Sequence, residues 1–276
     1  MSDHDHSLAG QTAFITGAAR GQGRSHAVEL ARRGAAILAF DICAQIESVP
    51  YAMSTPDDMA ETVRQVEAVG GQIVPVVGDV REPDDLAAAV QTCRTAFGHP
   101  DIVLANAGVS PQRLNEPDAQ QVFLDTIAVN LTGVWNTVHA IAPGMIEAGT
   151  GGSIVITSSA HGLIARGGDG SGGVTAYTAS KHGLVGLMRS FMMWLSPHGI
   201  RVNSIHPTGV QTPMVEHEVM AQWAESVSDG SSMSNVMPVF MVEPIDITRA
   251  VLYLVGESGR YVTGVTLPVD AGFTSK

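Results

Sequence analysis

The stretch FITGAARGQGRS, residues 14–25, sets Gly17, Gly21 and Gly23 in a G-x-x-x-G-x-G pattern between an apolar run and a helical one. Glycine at such a junction lets the chain turn sharply and lets a pyrophosphate approach the backbone, while the helix that follows offers amide donors and the positive end of its dipole. Gly17, Arg20, Gly21, Gln22 and Gly23 are therefore candidate contacts to a dinucleotide. An ordinary glycine-rich turn would use the same residues, so the reading depends on what surrounds them.

Working outward, short apolar runs alternate with helical patterns along the whole chain. TAFIT, AAILAF, QIVPVVGDV, DIVLANAG, GSIVIT, IRVNSIHP and TLPVD read as seven strands, each nearly continuous in its apolar character, as strands buried on both faces are. Between them lie segments with apolar residues at helical intervals, including one long pattern from DAQQ at 118–121 to the glycine at 149. A β-α unit repeated in this way predicts a single α/β domain over 1–276, a doubly wound Rossmann sheet of seven parallel strands with helices on both faces. Two segments exceed ordinary connections: residues 42–56, and the Met- and Ser-rich stretch of about 210–241. Ligands in such sheets bind beyond the carboxyl ends of the strands, so both segments are expected to border the site. Thr55, Pro56, Asp57 and Asp58 read as a capped helix start that ends the first of them.

At the strand ends stand further candidates. Asp41 closes the second strand, where a carboxylate can accept from ribose hydroxyls and repel a 2′-phosphate, followed by Ile42; Arg20 in the glycine loop is a cation that pulls the other way. With no basic residue directly after Asp41, the cofactor expected is NAD. Asp79 and Val80 end the third strand and Asn106, Ala107 and Gly108 the fourth, where adenine and ribose would lie.

Composition narrows the class. The chain has 276 residues, 45% hydrophobic and 15% charged, enough apolar material for one large core. Fifteen basic residues against twenty-seven acidic ones give a net charge of −12, which argues against nucleic acid or an anionic membrane as partner. The first residues lack a signal-peptide pattern and no apolar run approaches ~20 residues, so a cytoplasmic protein is expected. Cys43 and Cys93 suggest neither a disulfide framework nor a metal cluster, and the ten histidines, with His4 and His6 in a terminus expected to be disordered, show no zinc-ligand spacing.

The chemistry is carried by YTASK, residues 177–181, where Tyr177 and Lys181 share one helix face. Taken together, TGAARGQG, NAG, Asn130, the Ser158–Ser159 pair, YTASK and NSIHPTG occur in the order found in the short-chain dehydrogenase/reductase family, which the chain resembles from Gly10 to Phe273. The resemblance implies oxidation of an alcohol by NAD. Tyr177 would be the general base, its phenol lowered from a pKa near ~10 by neighbouring positive charge. Lys181 would supply that charge and hold the nicotinamide ribose, and Asn130 would position water in a proton relay. Ser159 would bind the substrate oxygen, with Ser158 the competing candidate, because GGDGSGG at 167–173 lengthens the usual spacing to the tyrosine. Pro207, Thr208, Gly209, Val210 and Thr212 would meet the nicotinamide, with Thr208 interrupting the family's usual Pro-Gly.

The insertion after DIC and the run IHPTGVQTPM resemble one branch of the family, that of the mycofactocin-coupled and carveol dehydrogenases. That branch implies an NAD covered by the insertion and tightly held, a terpenoid-like hydrophobic secondary alcohol as substrate, and mycofactocin as a separate redox carrier. Met214, Met220, Trp223, Met233, Met237 and Met241 suit an adaptable apolar pocket, or simply an irregular core; Met214 and His161 would contact the substrate, and His206 could line the same pocket. By resemblance the subunits would form a homotetramer. The alternatives are an NAD(P)-dependent ketone reductase with exchangeable cofactor, a nucleotide-sugar epimerase, which usually needs a larger C-terminal domain, and a non-catalytic nicotinamide-binding regulatory protein.

Overall fold

The computed structural model describes residues 7–164, 168–227 and 235–276. Seven parallel strands form one sheet in the order β3-β2-β1-β4-β5-β6-β7. They are β1 (Thr12–Thr16), β2 (Ala36–Asp41), β3 (Ile73–Val77), β4 (Ile102–Ala105), β5 (Gly152–Thr157), β6 (Ile200–Pro207) and β7 (Thr266–Val269). The order reverses between β1 and β4, and both edge strands carry a proline, Pro75 and Pro268, where a lost amide donor is tolerated.

Each central strand feeds two cores, because alternate side chains leave opposite faces. Phe14, Leu38, Phe40, Val103 and Ala105 pack on one face with residues of α3 (Pro83–Phe97), α5 (Gly133–Ala148) and α6 (Gly172–Leu195). Ala13, Ile15, Ile37, Ala39 and Leu104 pack on the other with α1 (Gly21–Arg32), α2 (Pro56–Ala68) and α8 (Pro244–Val255). Both faces are covered, which is why the strands show no polar alternation. The expected cap of α2 is present as a full box: Thr55 Oγ1 accepts from Asp58 N at 3.2 Å and Asp58 Oδ2 from Thr55 N at 2.9 Å.

Three features differ from the sequence reading. The long helical pattern divides into α4 (Ala119–Ile127) and α5 through a π turn at Ala128–Thr132. The helix carrying YTASK starts at Gly172, well before its apolar repeat, because the amides of Gly172 and Gly173 each donate at 2.7 Å to the Glu116 carboxylate and Ser171 caps Val174 N. The Met-rich segment contains a helix, α7 (Glu218–Val227). His4, His6 and Met233, and parts of the 210–241 and 167–173 segments, lie outside the described residues.

His26, on α1, is fully buried with Nδ1 at 2.8 Å from Thr248 Oγ1 of α8, and burial pushes its pKa down to about 3. The folded chain therefore keeps His26 neutral while the unfolded chain protonates it below about 6.5. This contribution is fully present above that pH and is lost progressively as pH falls toward 3, at up to ~1.4 kcal/mol per pH unit. Urea denaturation between pH 7 and 4.5 should show stability falling more steeply for the wild type than for His26→Gln; parallel curves would refute the assignment.

Candidate active site

The glycine loop joins β1 to α1 and shapes one wall of a cleft at the carboxyl edge of the sheet. Gly17 and Gly21 have φ of 67° and 57°, in the left-handed region, and a Cβ at Gly17 would lie 2.9 Å from Ala107 Cα. Gly23 is required for packing: a Cβ there would sit 2.0 Å from the Gly17 carbonyl oxygen. These close approaches leave a backbone cradle at the amino end of α1, the shape and polarity a pyrophosphate needs. Gln22 Oε1 is buried at this cradle without a hydrogen-bond partner, as expected of a group that a ligand satisfies.

Around the cleft, Gly17, Arg20, Gly21, Gln22, Asp41, Ile42, Asp79, Val80, Asn106, Ala107 and Gly108 come together with Tyr177, Lys181, Thr212 and Met214. Asp41 is nearly buried, its Oδ2 accepting from Ala19 N at 2.9 Å. Asp79 accepts from the Arg81 backbone and guanidinium and so is partly engaged. Pro207, Thr208, Gly209 and Val210 are not on this wall. Val210 bridges Val242, and the Thr208 hydroxyl donates to Asn235 Oδ1 at 2.8 Å, so the extra residue in Pro-Thr-Gly turns toward the 235–241 loop while Thr212 reaches the cleft.

The polar chemistry converges on α6. Ser159 begins a short 3-10 turn after β5, with its hydroxyl near enough to the Tyr177 phenol to favour the phenolate. Ser158 also lines the cleft, but its hydroxyl is taken, donating to the Lys181 carbonyl at 2.9 Å, which separates the two serines. Lys181 is buried, donates to the Thr157 carbonyl at 3.0 Å and stands 5.6 Å from the centre of the Tyr177 ring. Desolvation raises the pKa of Tyr177 and the Ser159 hydroxyl opposes it; desolvation also pushes Lys181 down to about 8. A phenol in this setting ionises at neutral pH only with further positive charge beside it.

Asn130 sits inside the π turn, fully buried, its Oδ1 accepting from Val109 N at 2.8 Å and its Nδ2 donating to Val109 O at 2.9 Å. π turns often mark functional positions because they offset one residue from the helical ladder. Asn130 Oδ1 and Lys181 Nζ flank Gly108, 3.3 and 3.6 Å from where a Cβ would project.

His161 N donates to Ser159 Oγ at 3.2 Å, and its ring meets Tyr177 edge-on with centroids 6.0 Å apart. His206, by contrast, is fully buried behind the serine: Nδ1 donates to the Ser159 carbonyl at 2.8 Å and Nε2 accepts from Ser204 Oγ at 2.9 Å. It supports the wall and does not line the pocket. The apolar residues Ile46, Tyr51 and Met53 of the 42–56 segment reach the cleft, as do several residues that had no recognisable motif: Ser54, Gly78, Val109, Thr157 and Pro213. Tyr51 accepts from Ser110 N at 3.2 Å and stacks on His217, ring centres 4.8 Å apart. Among the described residues no group of acidic, histidine or cysteine side chains could hold a metal ion, and no helix is long and apolar enough to cross a membrane.

The family model described as short chain dehydrogenase matches residues 11–223. An uncharacterised oxidoreductase of Mycobacterium tuberculosis is 52% identical over 274 residues, with 99% of both chains covered. The (-)-trans-carveol dehydrogenase of Rhodococcus erythropolis is 41% identical over 279 residues, covering 98% of this chain and 99% of its own. The crystal structure of a carveol dehydrogenase from Mycobacterium avium in complex with NAD superposes with a TM-score of 0.91 at 44% identity, over 98% of this chain and 100% of that one. With its sheet order, its glycine cradle and this extent of similarity, the chain belongs to the short-chain dehydrogenase family and is one of its oxidoreductases.

Proposed function

We propose that this protein oxidises a hydrophobic secondary alcohol, carveol-like in character, with NAD as its cofactor and Tyr177 as general base. The observation that carries the reading is the meeting of Tyr177 and Lys181 at the same cleft as the glycine cradle, with the Ser159 hydroxyl beside the Tyr177 phenol. Gly17, Gly21 and Gln22 would hold the pyrophosphate, Asp41 and Ile42 the adenosine end, and Lys181 and Thr212 the nicotinamide end. NAD, when bound, supplies the two-electron acceptor that no side chain provides.

The chain's own residues supply the rest. Ser159 would donate to the substrate oxygen, and Tyr177 would take the hydroxyl proton at that atom. Lys181 favours the Tyr177 phenolate through its charge, held in place by the Thr157 carbonyl. Asn130, anchored at both polar ends to Val109, would keep the β4 exit and the π turn in register for a proton path to solvent. His161 and Met214 would face the substrate, with the thioethers of the 210–241 lid adapting to an apolar ring.

Two features support an NAD that exchanges slowly and passes its electrons to a carrier such as mycofactocin. Ile46, Val49 and Tyr51 of the insertion are buried in the main core, and Tyr51 links the insertion to the lid by stacking on His217. The same reading includes a homotetramer in the cytoplasm. It is supported by the apolar surface of Leu124, Trp135, Met193 and Trp194 on α4, α5 and α6, which solvent would otherwise wet, and by two unpaired buried cysteines.

Replacement of Tyr177 by Phe should lower alcohol oxidation by about 10²- to 10⁴-fold while nucleotide content and melting temperature stay at wild-type values; unchanged turnover would remove Tyr177 as base. Protein purified without added nucleotide, then denatured, should release stoichiometric NAD, and native protein should turn over slowly until an artificial electron acceptor is added. Empty protein that cycles with free NAD would instead establish an ordinary exchangeable dehydrogenase. No oxidation of any apolar cyclic alcohol in either format would favour a regulatory role for the fold.

A further inference from the structure

The Asp41 carboxylate is fixed from three directions by the protein itself. Ala19 N donates to Oδ2 at 2.9 Å, Cys43 N to Oδ1 at 3.1 Å, and the Ser54 hydroxyl to Oδ1 at 2.5 Å. Cys43 reaches it by adopting a left-handed backbone, φ 46°, which a non-glycine residue takes only where its surroundings hold it. Asp41 and Ser54 are 6% and 7% exposed, so this bond is made away from bulk water, where a hydrogen bond to a carboxylate is strong. A carboxylate offers about four acceptor positions, and the protein uses three here, two on Oδ1 and one on Oδ2, so a position remains for a ribose hydroxyl in the cleft that Asp41 lines.

The same inserted segment also engages the cation that competes with Asp41. Arg20 Nη2 donates to the Ala52 carbonyl at 2.7 Å, two residues before Ser54. Arg24, the other guanidinium beside the loop, donates to Ala19 O at 2.6 Å, to Asp58 O at 2.9 Å and to Thr62 Oγ1 at 2.9 Å, and pairs with the Asp58 carboxylate at 3.5 Å. Both guanidiniums are thus directed at protein acceptors. A 2′-phosphate entering here would meet a fixed anion and two committed cations.

We propose that the 42–56 insertion sets the preference for NAD over NADP: Ser54 is a positioning residue that holds the Asp41 carboxylate toward the ribose diol, and the Ala52 carbonyl draws Arg20 away from the place a 2′-phosphate would occupy. This rests on the reading that the cleft holds a nicotinamide dinucleotide. It assigns the insertion a part in choosing the cofactor that is separate from covering it. It also accounts for a glycine loop that carries an arginine in a chain that ends its second strand with aspartate. The two signals conflict only while Arg20 is considered free.

The test is the ratio of NAD to NADP dissociation constants, measured by calorimetry on full-length protein freed of nucleotide, for the wild type, Ser54→Ala, Ser54→Thr and Arg20→Ala. Ser54→Ala should lower the preference for NAD by about tenfold, the worth of one hydrogen bond to a buried carboxylate, and Ser54→Thr should restore most of it. Arg20→Ala should change both affinities by the same factor, because the tether and not a phosphate contact is lost. Equal weakening of both nucleotides in Ser54→Ala, or a loss confined to NADP in Arg20→Ala, would overturn the proposal. Wild-type protein that binds neither nucleotide would remove the functional reading beneath it, which separates the two failures. Should Ser54→Ala not fold, the Arg20→Ala ratio alone still decides the second half of the claim, and Ser54→Cys, which lacks a strong donor of similar size, decides the first.

Discussion

The side chain of Asn106 joins three strand ends, and the site depends on that junction. Its Nδ2 donates to the Thr16 carbonyl at 3.1 Å at the end of β1, its backbone amide donates to Thr16 Oγ1 at 3.0 Å, and its Oδ1 accepts from Thr157 Oγ1 at 3.2 Å at the end of β5. Strand order reverses between β1 and β4, so the helices leave toward opposite faces and a crevice opens above this point. Without a side chain bridging the crevice floor, the glycine loop and the serine turn would be tied only through the sheet. Thr157 extends the junction toward the chemistry: its hydroxyl meets Asn106 while its carbonyl accepts from Lys181 Nζ.

On that floor the chemistry is balanced between burial and charge. Burial alone makes Tyr177 harder to ionise and makes Lys181 give up its proton more easily, both unfavourable for a phenolate base at neutral pH. The Ser159 hydroxyl and the nearby ammonium act in the other direction. Such a balance is sensitive to small displacements, which explains why so much structure secures these groups. Ser158 anchors the Lys181 carbonyl, His206 holds the Ser159 carbonyl, and Glu116 caps the amino end of α6 through Gly172 and Gly173. At Gly173 a Cβ would come within 2.7 Å of the Glu116 carboxylate, so the glycines of that inserted run let a carboxylate reach two successive amides.

The segments that give this chain its individuality pack together over the crevice. The 42–56 insertion buries Val49 and Tyr51 in the core and reaches the stretch before α7 through the Tyr51–His217 stack. On α7, Trp223 is buried and its indole N–H lies 3.4 Å from Asp169 Oδ2, while Asp169 Oδ1 accepts from the Ser171 hydroxyl at the cap of α6. Asp169 therefore joins α7 to the start of the Tyr177 helix.

Much of this was legible in the residues themselves. The alternation of apolar runs and helical patterns determined a parallel sheet covered on both faces, since strands buried twice leave no polar stripe, and the glycines at 17, 21 and 23 marked where it turns. Cap chemistry at Thr55 to Asp58 was readable because it involves neighbours in sequence. What only the tertiary structure decided was which groups are already taken. Asp41 looked like a free carboxylate, Arg20 like a free cation, Ser158 like a competitor of Ser159, and His206 like a pocket residue. Their partners, Ser54, the Ala52 carbonyl, the Lys181 carbonyl and the Ser159 carbonyl, are brought in by folding from elsewhere in the chain or are backbone atoms that every residue shares. Hydrogen bonds to such atoms leave no mark in composition or spacing, so a sequence can name the chemical groups of a site while the fold alone decides which of them remain available.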